Sequence, residues 1–165
     1  MDFTVHPEGT LTWPDGSFSC VLGRSGVVAN KWEGDGGTPV GRFVLRHVYF
    51  RPDREAKPTT ALPVEALDPT MGWCDDPSHA NYNRPVILPH PASCERLWRD
   101  DGVYDLIAVL GHNDDPVIPN LGSAIFLHLV HPDRTPTQGC VALTRADFLT
   151  LIGIAQPGDA LDIKG

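Results

Sequence analysis

Glycine and proline interrupt this chain so often that long helices have little room to form. The sequence has 16 of each, together about a fifth of its 165 residues, and they separate short runs of apolar side chains. Short apolar runs bounded by turn residues are typical of strands joined by turns. The pattern therefore predicts a mostly-β chain that forms a single domain over residues 1–165. The predicted strands are Leu11–Trp13, Phe18–Leu22, Phe43–Phe50, Val86–Leu88, Leu106–Leu110, Ile125–Val130 and Leu161–Lys164.

Two segments carry the signals of short helices. Thr144 is a suitable N-cap, because Asp147 lies three residues later as in a capping box and an apolar face follows. A second helix is predicted over Ser93–Arg99, where a serine can act as the N-cap and a glutamate and an arginine stand four residues apart. We therefore expect one or two short helices beside the strands.

The stretch between Phe50 and Val86 is polar and rich in proline. It shows little regular pattern, and it is longer than most loops of compact domains. Such long loops are usually functional or disordered. We predict that this stretch forms a wall of a substrate cleft.

The charge balance narrows the classes of partner. With 13 basic and 21 acidic residues, the chain has a formal net charge of −8 at pH 7. Nucleic acids and anionic membranes are usually bound by a basic patch, so we expect neither as a partner. No apolar run approaches the ~18 residues of a spanning helix, so we expect no membrane insertion. Residues 1–7 also lack the positive and apolar regions of an export signal.

Four cysteines are present, Cys20, Cys74, Cys94 and Cys140. They are too few for a disulfide scaffold, and no two of them have the C-x-x-C spacing found in many zinc sites. Cys74 and Cys94 can form a disulfide with each other or remain reduced thiols, and the sequence leaves both states open. We predict no bound metal and no cofactor.

The pattern that most directly suggests chemistry is His128 twelve positions before Cys140, which itself follows Gly139. A thiol attacks as thiolate, and a nearby imidazole can take its proton and lower its pKa from ~8.5. Gly139 permits a sharp turn that leaves backbone N–H groups free to bind an oxyanion. A hydrogen-bonded core histidine and a buried, inert cysteine are the plainer interpretation of the same residues.

His128 lies in an apolar run that predicts a strand, in which successive side chains point to opposite faces. His128 then shares a face with Phe126 and Val130, whereas His131 lies on the other face. This alternation argues against a metal ion held jointly by His128 and His131.

With these residues in view, the chain resembles the L,D-transpeptidase catalytic domain family, often called YkuD-type. That family has a histidine on a strand, then Ser/Thr-His-Gly-Cys and, two residues later, commonly Arg or Asn. Thr137, Gly139 and Cys140 match this motif, and His128 takes the place of the strand histidine. The turn Thr38–Gly41 and the stretches Tyr82–Pro85 and Trp98–Asp100 are also similar to the family, so that the resemblance spans roughly residues 18 to 163.

Two positions depart from the family pattern. Gln138 stands where the family usually has histidine, which removes one imidazole but keeps an amide donor for an oxyanion. Ala142 stands where Arg or Asn is usual, so a contact that helps to hold the site or the substrate must come from elsewhere. Both changes indicate a divergent subgroup.

The resemblance implies a β-sandwich-like catalytic domain and two-step acyl transfer on peptidoglycan stem peptides by a monomer. Cys140 would attack the amide after the L-centre of diaminopimelate, and His128 would move the proton. The N–H groups of Gly139 and Cys140 would bind the oxyanion. A stem-peptide amine would resolve the thioester into a 3,3 or a 1,3 cross-link, whereas water would make the enzyme an L,D-carboxypeptidase.

Further residues are candidates for substrate binding. Thr137 and Gln138 belong to the motif, and Tyr82 and Arg84 can contact a peptide carboxylate, although solvated loop side chains are an equal alternative. Asn113 can bind backbone amides of a substrate, but simple turn chemistry explains it better.

Two other functions stay open. A metal-dependent peptidase would need several of the histidines together with aspartates. A non-catalytic peptidoglycan-binding module would explain Gln138 and Ala142. The histidines in question are His79, His90, His112, His128 and His131.

The location expected from the family is the bacterial periplasm. Because the chain shows no export signal, three routes stay open: a leader outside this sequence, unconventional export, or action on recycled fragments inside the cell.

Overall fold

The fold is built almost entirely from strands, as the turn-rich sequence predicts. The computed structural model describes residues 1–165, with 36% in strands and 6% in one helix, so the mostly-β prediction is confirmed. The strands are β1 (Asp2–His6), β2 (Thr10–Trp13), β3 (Gly16–Ser19), β4 (Val27–Val28), β5 (Thr38–Pro39), β6 (Gly41–Phe50), β7 (Val64–Ala66), β8 (Met71–Cys74), β9 (Pro85–Ile87), β10 (Cys94–Arg96), β11 (Leu106–Leu110), β12 (Phe126–Leu129), β13 (Val141–Leu143) and β14 (Ala160–Ile163). The helix α1 spans Arg145–Ile154.

Nine strands form one sheet that closes on itself. Its order is β13-β12-β11-β6-β14-β1-β2-β3, and β7 pairs with β6 outside this path. The pairs β1/β14, β12/β13 and β6/β7 are parallel, and the others are antiparallel. Just after β3, Val21 exchanges two backbone hydrogen bonds of 2.9 and 2.8 Å with Ala142 in β13. The two ends of the path therefore meet, and the sheet encloses a core.

Alternation along the strands divides the interior into two apolar clusters. On β11, Leu106, Ala108 and Leu110 belong to a core of 23 buried residues, whereas Ile107 and Val109 belong to a second cluster of 11. Successive residues of a strand point to opposite faces, so β11 separates the two clusters. The candidate site lies on the face of the second cluster.

Helix α1 packs onto the larger core. Its N-cap, Thr144, accepts a hydrogen bond from the Asp147 N–H at 3.2 Å and donates one to the Asp147 carboxylate at 2.7 Å. The side chains of Phe148, Leu151 and Ile152 are fully buried. Burial of each such side chain contributes ~1.5–3 kcal/mol to stability. The helix and the N-cap that the sequence predicts at Thr144 are present, and Asp147 bonds the Thr144 hydroxyl instead of the backbone N–H of a full capping box.

A small sheet in the order β10-β8-β9 covers the second cluster. Trp73 of β8 packs edge-on against Phe126 of β12 with the ring centroids 5.1 Å apart, and it donates its indole N–H to Asn83 at 2.9 Å. The prediction of a helix over Ser93–Arg99 is wrong, because Cys94–Arg96 forms β10 and pairs with β8. Backbone pairing with a neighbouring strand outweighs a helical signal that depended on one cap and one side-chain pair.

The stretch between Phe50 and Val86 is ordered and contains β7 and β8. Of this stretch, Asp75 alone lines the cleft described below, so the prediction of a cleft wall holds for one residue. All four cysteines are free thiols, and Cys74 lies opposite Cys94 across β8 and β10. No helix is long and apolar enough to cross a membrane.

Candidate active site

The turn before β13 sets the position of Cys140, and Thr137 holds this turn. The Thr137 hydroxyl accepts the Gly139 N–H at 3.1 Å and donates to the Cys140 carbonyl at 2.7 Å. Gly139 has a φ of +132°, and a Cβ at this position would lie 2.7 Å from the Gly37 carbonyl oxygen. Any side chain at position 139 would therefore overlap the backbone of Gly37, so this turn requires glycine.

We expect Gly139→Ala to destabilise the protein. A side chain in this φ range costs ~1–3 kcal/mol, and the overlap with Gly37 adds to that cost. Urea unfolding of the variant and the wild type measures the difference. Gly26→Ala is the matched control, because Gly26 has a φ of +72° but open space around its Cβ position. Equal losses in both variants would show that the contact with Gly37 is unimportant.

The Cys140 thiol is buried but borders a cleft. Only 6% of Cys140 is exposed, and its Sγ donates to the Ala124 carbonyl at 3.3 Å and accepts the Phe126 N–H at 3.4 Å. Burial and then the charge of Glu95 raise the pKa of the thiol to about 12. The sequence predicts a lowered thiol pKa, and the structure shows the opposite for the free protein. Desolvation disfavours the thiolate more than any neighbouring cation favours it.

His128 lies on the same face of the sheet as Cys140. Strands β12 and β13 are parallel, with His128 opposite Ala142, so that Cys140 lies two residues before the partner of His128. The neighbours Leu127 and Val141 point into the larger core instead. At ~3.3 Å per residue, the offset between His128 and Cys140 along the strands is about 6.6 Å. The two side chains therefore lie along one face of the sheet and border the same space.

The environment of the His128 ring fixes its protonation state. Its Nδ1 lies 2.8 Å from the Leu129 carbonyl, which can only accept, so Nδ1 carries the proton and Nε2 has a free lone pair. Burial lowers the pKa of His128 to about 4. The Tyr104 ring packs edge-on against the imidazole with centroids 5.3 Å apart. The ring is therefore a neutral, oriented proton acceptor.

Both side chains border one cleft of about 380 Å³. The cleft is lined by Lys31, Glu33, Gly34, Asp75, Glu95, Arg99, Asp101, Val103, Tyr104, Ser123, Ala124, Ile125, His128, His131, Thr135, Pro136, Thr137, Gln138, Cys140 and Ala142. Carboxylates and cations are interspersed along its walls. Such a lining suits a ligand that carries both ammonium and carboxylate groups.

His131 also lines this cleft, although strand alternation predicts that it faces away from His128. Strand β12 ends at Leu129, so the alternation no longer applies at residue 131. The prediction of opposite faces is therefore wrong for this pair.

Several residues of the cleft were not predicted as site residues from the sequence. The Tyr104 hydroxyl donates to Glu95, and burial raises the pKa of both groups. Arg99 lies 5.0 Å from the centroid of the Tyr104 ring and pairs with Asp101 at 2.5 Å. Asp75 has a buried Oδ1 with no hydrogen-bond partner in the protein. Trp98–Asp100 carried a family signal, but nothing in the sequence marked Tyr104 or Asp75.

The predicted oxyanion donors need one correction. The Gly139 N–H donates to Thr137, so it is already engaged. The backbone N–H groups of Gln138 and Cys140 have no acceptor in the protein. The Gly139 N–H is therefore not free to bind an oxyanion, whereas the Gln138 and Cys140 N–H groups have no competing bond.

The predicted substrate-binding residues divide into two sets. Thr137 and Gln138 line the cleft, but the Thr137 hydroxyl is used by the turn, and the Gln138 amide oxygen accepts from Arg24 at 3.0 Å. Gln138 is exposed at the rim, where its amide NH₂ faces no partner in the protein.

Tyr82, Arg84 and Asn113 do not line the cleft. Tyr82 is buried, and its hydroxyl donates to Glu33 at 2.6 Å. Arg84 donates to the Asp114 carbonyl at 2.9 Å. Asn113 bonds the backbone of Ile118 and so holds its own turn. The structure therefore gives these three residues structural roles, because nearer backbone and side-chain partners engage their polar groups.

The five histidines considered for a metal-dependent peptidase do not form one site. His128 and His131 line the cleft, and the rings of His79 and His90 lie 4.8 Å apart in another region. His112 bonds the Leu121 carbonyl elsewhere. This distribution does not fit a shared catalytic metal.

Comparison with known proteins agrees with this arrangement. Residues 5–163 match the model of the YkuD family, described as the L,D-transpeptidase catalytic domain. No match was found among the curated proteins or among the solved structures. The family match covers nearly the whole chain and includes Gly139, Cys140 and His128. The chain therefore belongs to the YkuD family of L,D-transpeptidase catalytic domains, as its motif and its fold indicate.

Proposed function

We propose that this chain is a peptidoglycan L,D-transpeptidase that uses Cys140 as its nucleophile and His128 as its base. One observation carries the proposal: the two side chains share a face of adjacent parallel strands and border a single cleft. A buried cysteine that serves only packing would not be expected to border the same cleft as an unprotonated imidazole nitrogen.

The first step is acylation of Cys140. The thiol has a pKa of about 12 and His128 has a pKa of about 4, so both are neutral at pH 7. Proton transfer to the His128 Nε2 therefore accompanies attack instead of preceding it. A bond forms between the Cys140 Sγ and the carbonyl carbon at the L-centre of diaminopimelate. The C–N bond then breaks, and the leaving amine takes the proton from His128.

The second step resolves the thioester. An acceptor amine attacks the carbonyl, transfers its proton to His128, and displaces the Cys140 thiolate, which is protonated again. Donation from the Cys140 and Gln138 N–H groups would stabilise the oxyanion in both steps. An amine acceptor gives a 3,3 or a 1,3 cross-link, and water gives L,D-carboxypeptidase activity.

The charged walls of the cleft fit a stem peptide. Arg99 forms two hydrogen bonds with Asp101, and its positive charge in the wall of the cleft favours a ligand carboxylate nearby. The unpartnered Asp75 Oδ1 is suited to an ammonium group such as that of diaminopimelate. Ala142, opposite His128, leaves space where the family commonly has Arg or Asn. We propose that these residues bind the donor peptide.

Peptidoglycan belongs to the bacterial cell envelope, so we propose that the chain acts there, as a monomer. The net charge of −8 gives no basic surface for nucleic acid.

Mass spectrometry of stem peptides after incubation with the purified protein tests the proposal. A transpeptidase gives a product with the mass of two stems minus the released residue, and fragmentation locates the new amide. A carboxypeptidase gives only the trimmed stem. Unchanged stem peptides, together with no covalent adduct on treatment with a carbapenem, would show a non-catalytic binding module and contradict the proposal.

A further inference from the structure

Outside the cleft, three metal-ligating side chains converge. Cys74 at the end of β8, Cys94 at the start of β10 and His90 in the preceding loop place their ligand atoms within 4.8 Å of one another. The Cys94 Sγ lies 3.4 Å from the His90 Nδ1. Cys74 is buried, and the other two are half-buried. No step of the proposed reaction uses this cluster.

The strand pairing brings the two sulfur atoms close. The Asp75 N–H donates to the Ser93 carbonyl at 3.1 Å, so the hydrogen bonds flank the Cys74–Cys94 pair and do not join it. In such a non-hydrogen-bonded antiparallel pair the Cα atoms are ~4.5 Å apart, and the side chains approach each other on one face. The backbone therefore fixes the two thiols side by side.

The distance between Cys94 and His90 is that of two ligands of a tetrahedral zinc ion, and Cys74 lies within 4.8 Å of both. With Zn–S of ~2.3 Å and Zn–N of ~2.0–2.1 Å, tetrahedral ligands lie about 3.5 Å apart for sulfur to nitrogen and about 3.8 Å for sulfur to sulfur. The distance of 3.4 Å from Cys94 to His90 is close to the first value. We propose that Cys74, His90 and Cys94 form a zinc-binding site, with a solvent molecule as the fourth ligand.

The surroundings of His90 support this assignment. Its Nδ1 accepts the Ala92 N–H at 3.2 Å, so this nitrogen has the lone pair that a metal ligand needs. The Nε2 then carries the ring proton and lies 3.2 Å from the Asn81 Nδ2, so the Asn81 amide has to turn and present its Oδ1 to accept this proton and orient the ring. When zinc binds, Cys74 and Cys94 release their two thiol protons to solvent, and the metal displaces the Ala92 N–H from Nδ1.

The position of the site gives it a consequence for the cleft. Asp75 and Glu95 directly follow the two cysteines, and both line the active-site cleft. An ion bound by Cys74 and Cys94 would link β8 to β10 directly next to Asp75 and Glu95. The zinc site would therefore hold one wall of the cleft in place.

Zinc titration of the reduced full-length chain, read against a chromophoric chelator, tests the inference. We expect one equivalent of zinc to bind, and cobalt(II) to produce the thiolate-to-metal absorption of a Cys-ligated ion. Loss of a residue that only orients a metal ligand costs about 10–100-fold in affinity. Removal of a ligand itself, in Cys94→Ser or His90→Ala, should therefore weaken zinc binding by more than about 100-fold. At free zinc 100-fold above Kd, the unfolding equilibrium constant should fall by about 100-fold.

Cys20→Ser is the matched control, because Cys20 is a buried thiol in the larger core and should not affect binding. Three results would overturn the inference: no stoichiometric zinc in the reduced protein, unchanged affinity in Cys94→Ser, or loss of binding in Cys140→Ser. The inference does not depend on the proposed catalysis, since metal binding is measured without substrate.

Discussion

Replacement of Cys140 by alanine is expected to abolish covalent adduct formation with a carbapenem and all turnover of stem peptides. The sulfur atom is the only group in the proposed mechanism that bonds to the substrate. In a hydrolase with a comparable nucleophile and base, loss of the nucleophile lowers kcat by about 10⁶-fold. Intact-protein mass spectrometry measures the adduct, and thermal unfolding checks that the variant is folded.

Cys20→Ala provides the control for Cys140→Ala. Both cysteines are 6% exposed, so the two substitutions remove equally buried thiols. Burial raises the pKa of Cys20 to about 11, but Cys20 does not line the cleft. We expect the Cys20 variant to keep the adduct. An adduct that persists in Cys140→Ala would refute the assignment of the nucleophile.

His128→Asn should slow acylation by about 10²–10⁴-fold, which is the usual contribution of a general base. The asparagine amide can still donate to the Leu129 carbonyl, as Nδ1 does in the wild type, but it offers nothing in place of Nε2. The variant therefore removes the proposed base and keeps the hydrogen bond to Leu129. His131→Asn is the matched control, because His131 lines the same cleft without an assigned role.

The pH dependence distinguishes a base from a structural residue. His128 has a pKa of about 4, so its imidazole stays unprotonated until the pH falls to that value. We expect the wild-type acylation rate to be constant from pH 7 to about 5 and to fall tenfold per unit below about 4. In His128→Asn the decrease in the acylation rate below pH about 4 should disappear. A wild-type rate that falls from pH ~6.5, as for an exposed histidine, would contradict this account.

The sequence predicted the elements that have a clear apolar pattern or a capping residue of their own. The strand over Leu106–Leu110 has the predicted bounds, and the helix begins at the predicted cap, Thr144. Seven strands were not predicted, including β1 and β13. These strands have two to five residues, and each is defined by pairing with another strand, which for β1 is β14 at the other end of the chain. Short segments of this kind carry too little periodicity to be identified alone.

The site residues also divide into those that a local pattern marks and those that only the folded chain brings together. Gly139, Cys140 and His128 were identified because a motif and a strand pattern mark them. Asp75 and Tyr104 could not be identified, since the packing of the small sheet brings Asp75 to the cleft and the pairing of β11 with β12 brings Tyr104 to His128. Tyr82 was considered for substrate binding because its residue type suits a peptide carboxylate, but its actual partner, Glu33, becomes a neighbour only in the folded chain. Asn113 bonds Ile118 within its own turn, as turn chemistry predicts.

The hydrogen bonds that close the main sheet also make the presentation of the thiol depend on the first part of the chain. The turn that presents the thiol is held from outside by the start of the chain, since Thr137 donates its N–H to Leu22 at 3.0 Å and accepts from the Arg24 N–H at 2.8 Å. A nascent polypeptide has to complete more than 100 residues after Leu22 before that turn exists. Fragments that retain the thiol and the imidazole but lack the first strands should therefore be inert, because nothing then holds the turn from outside.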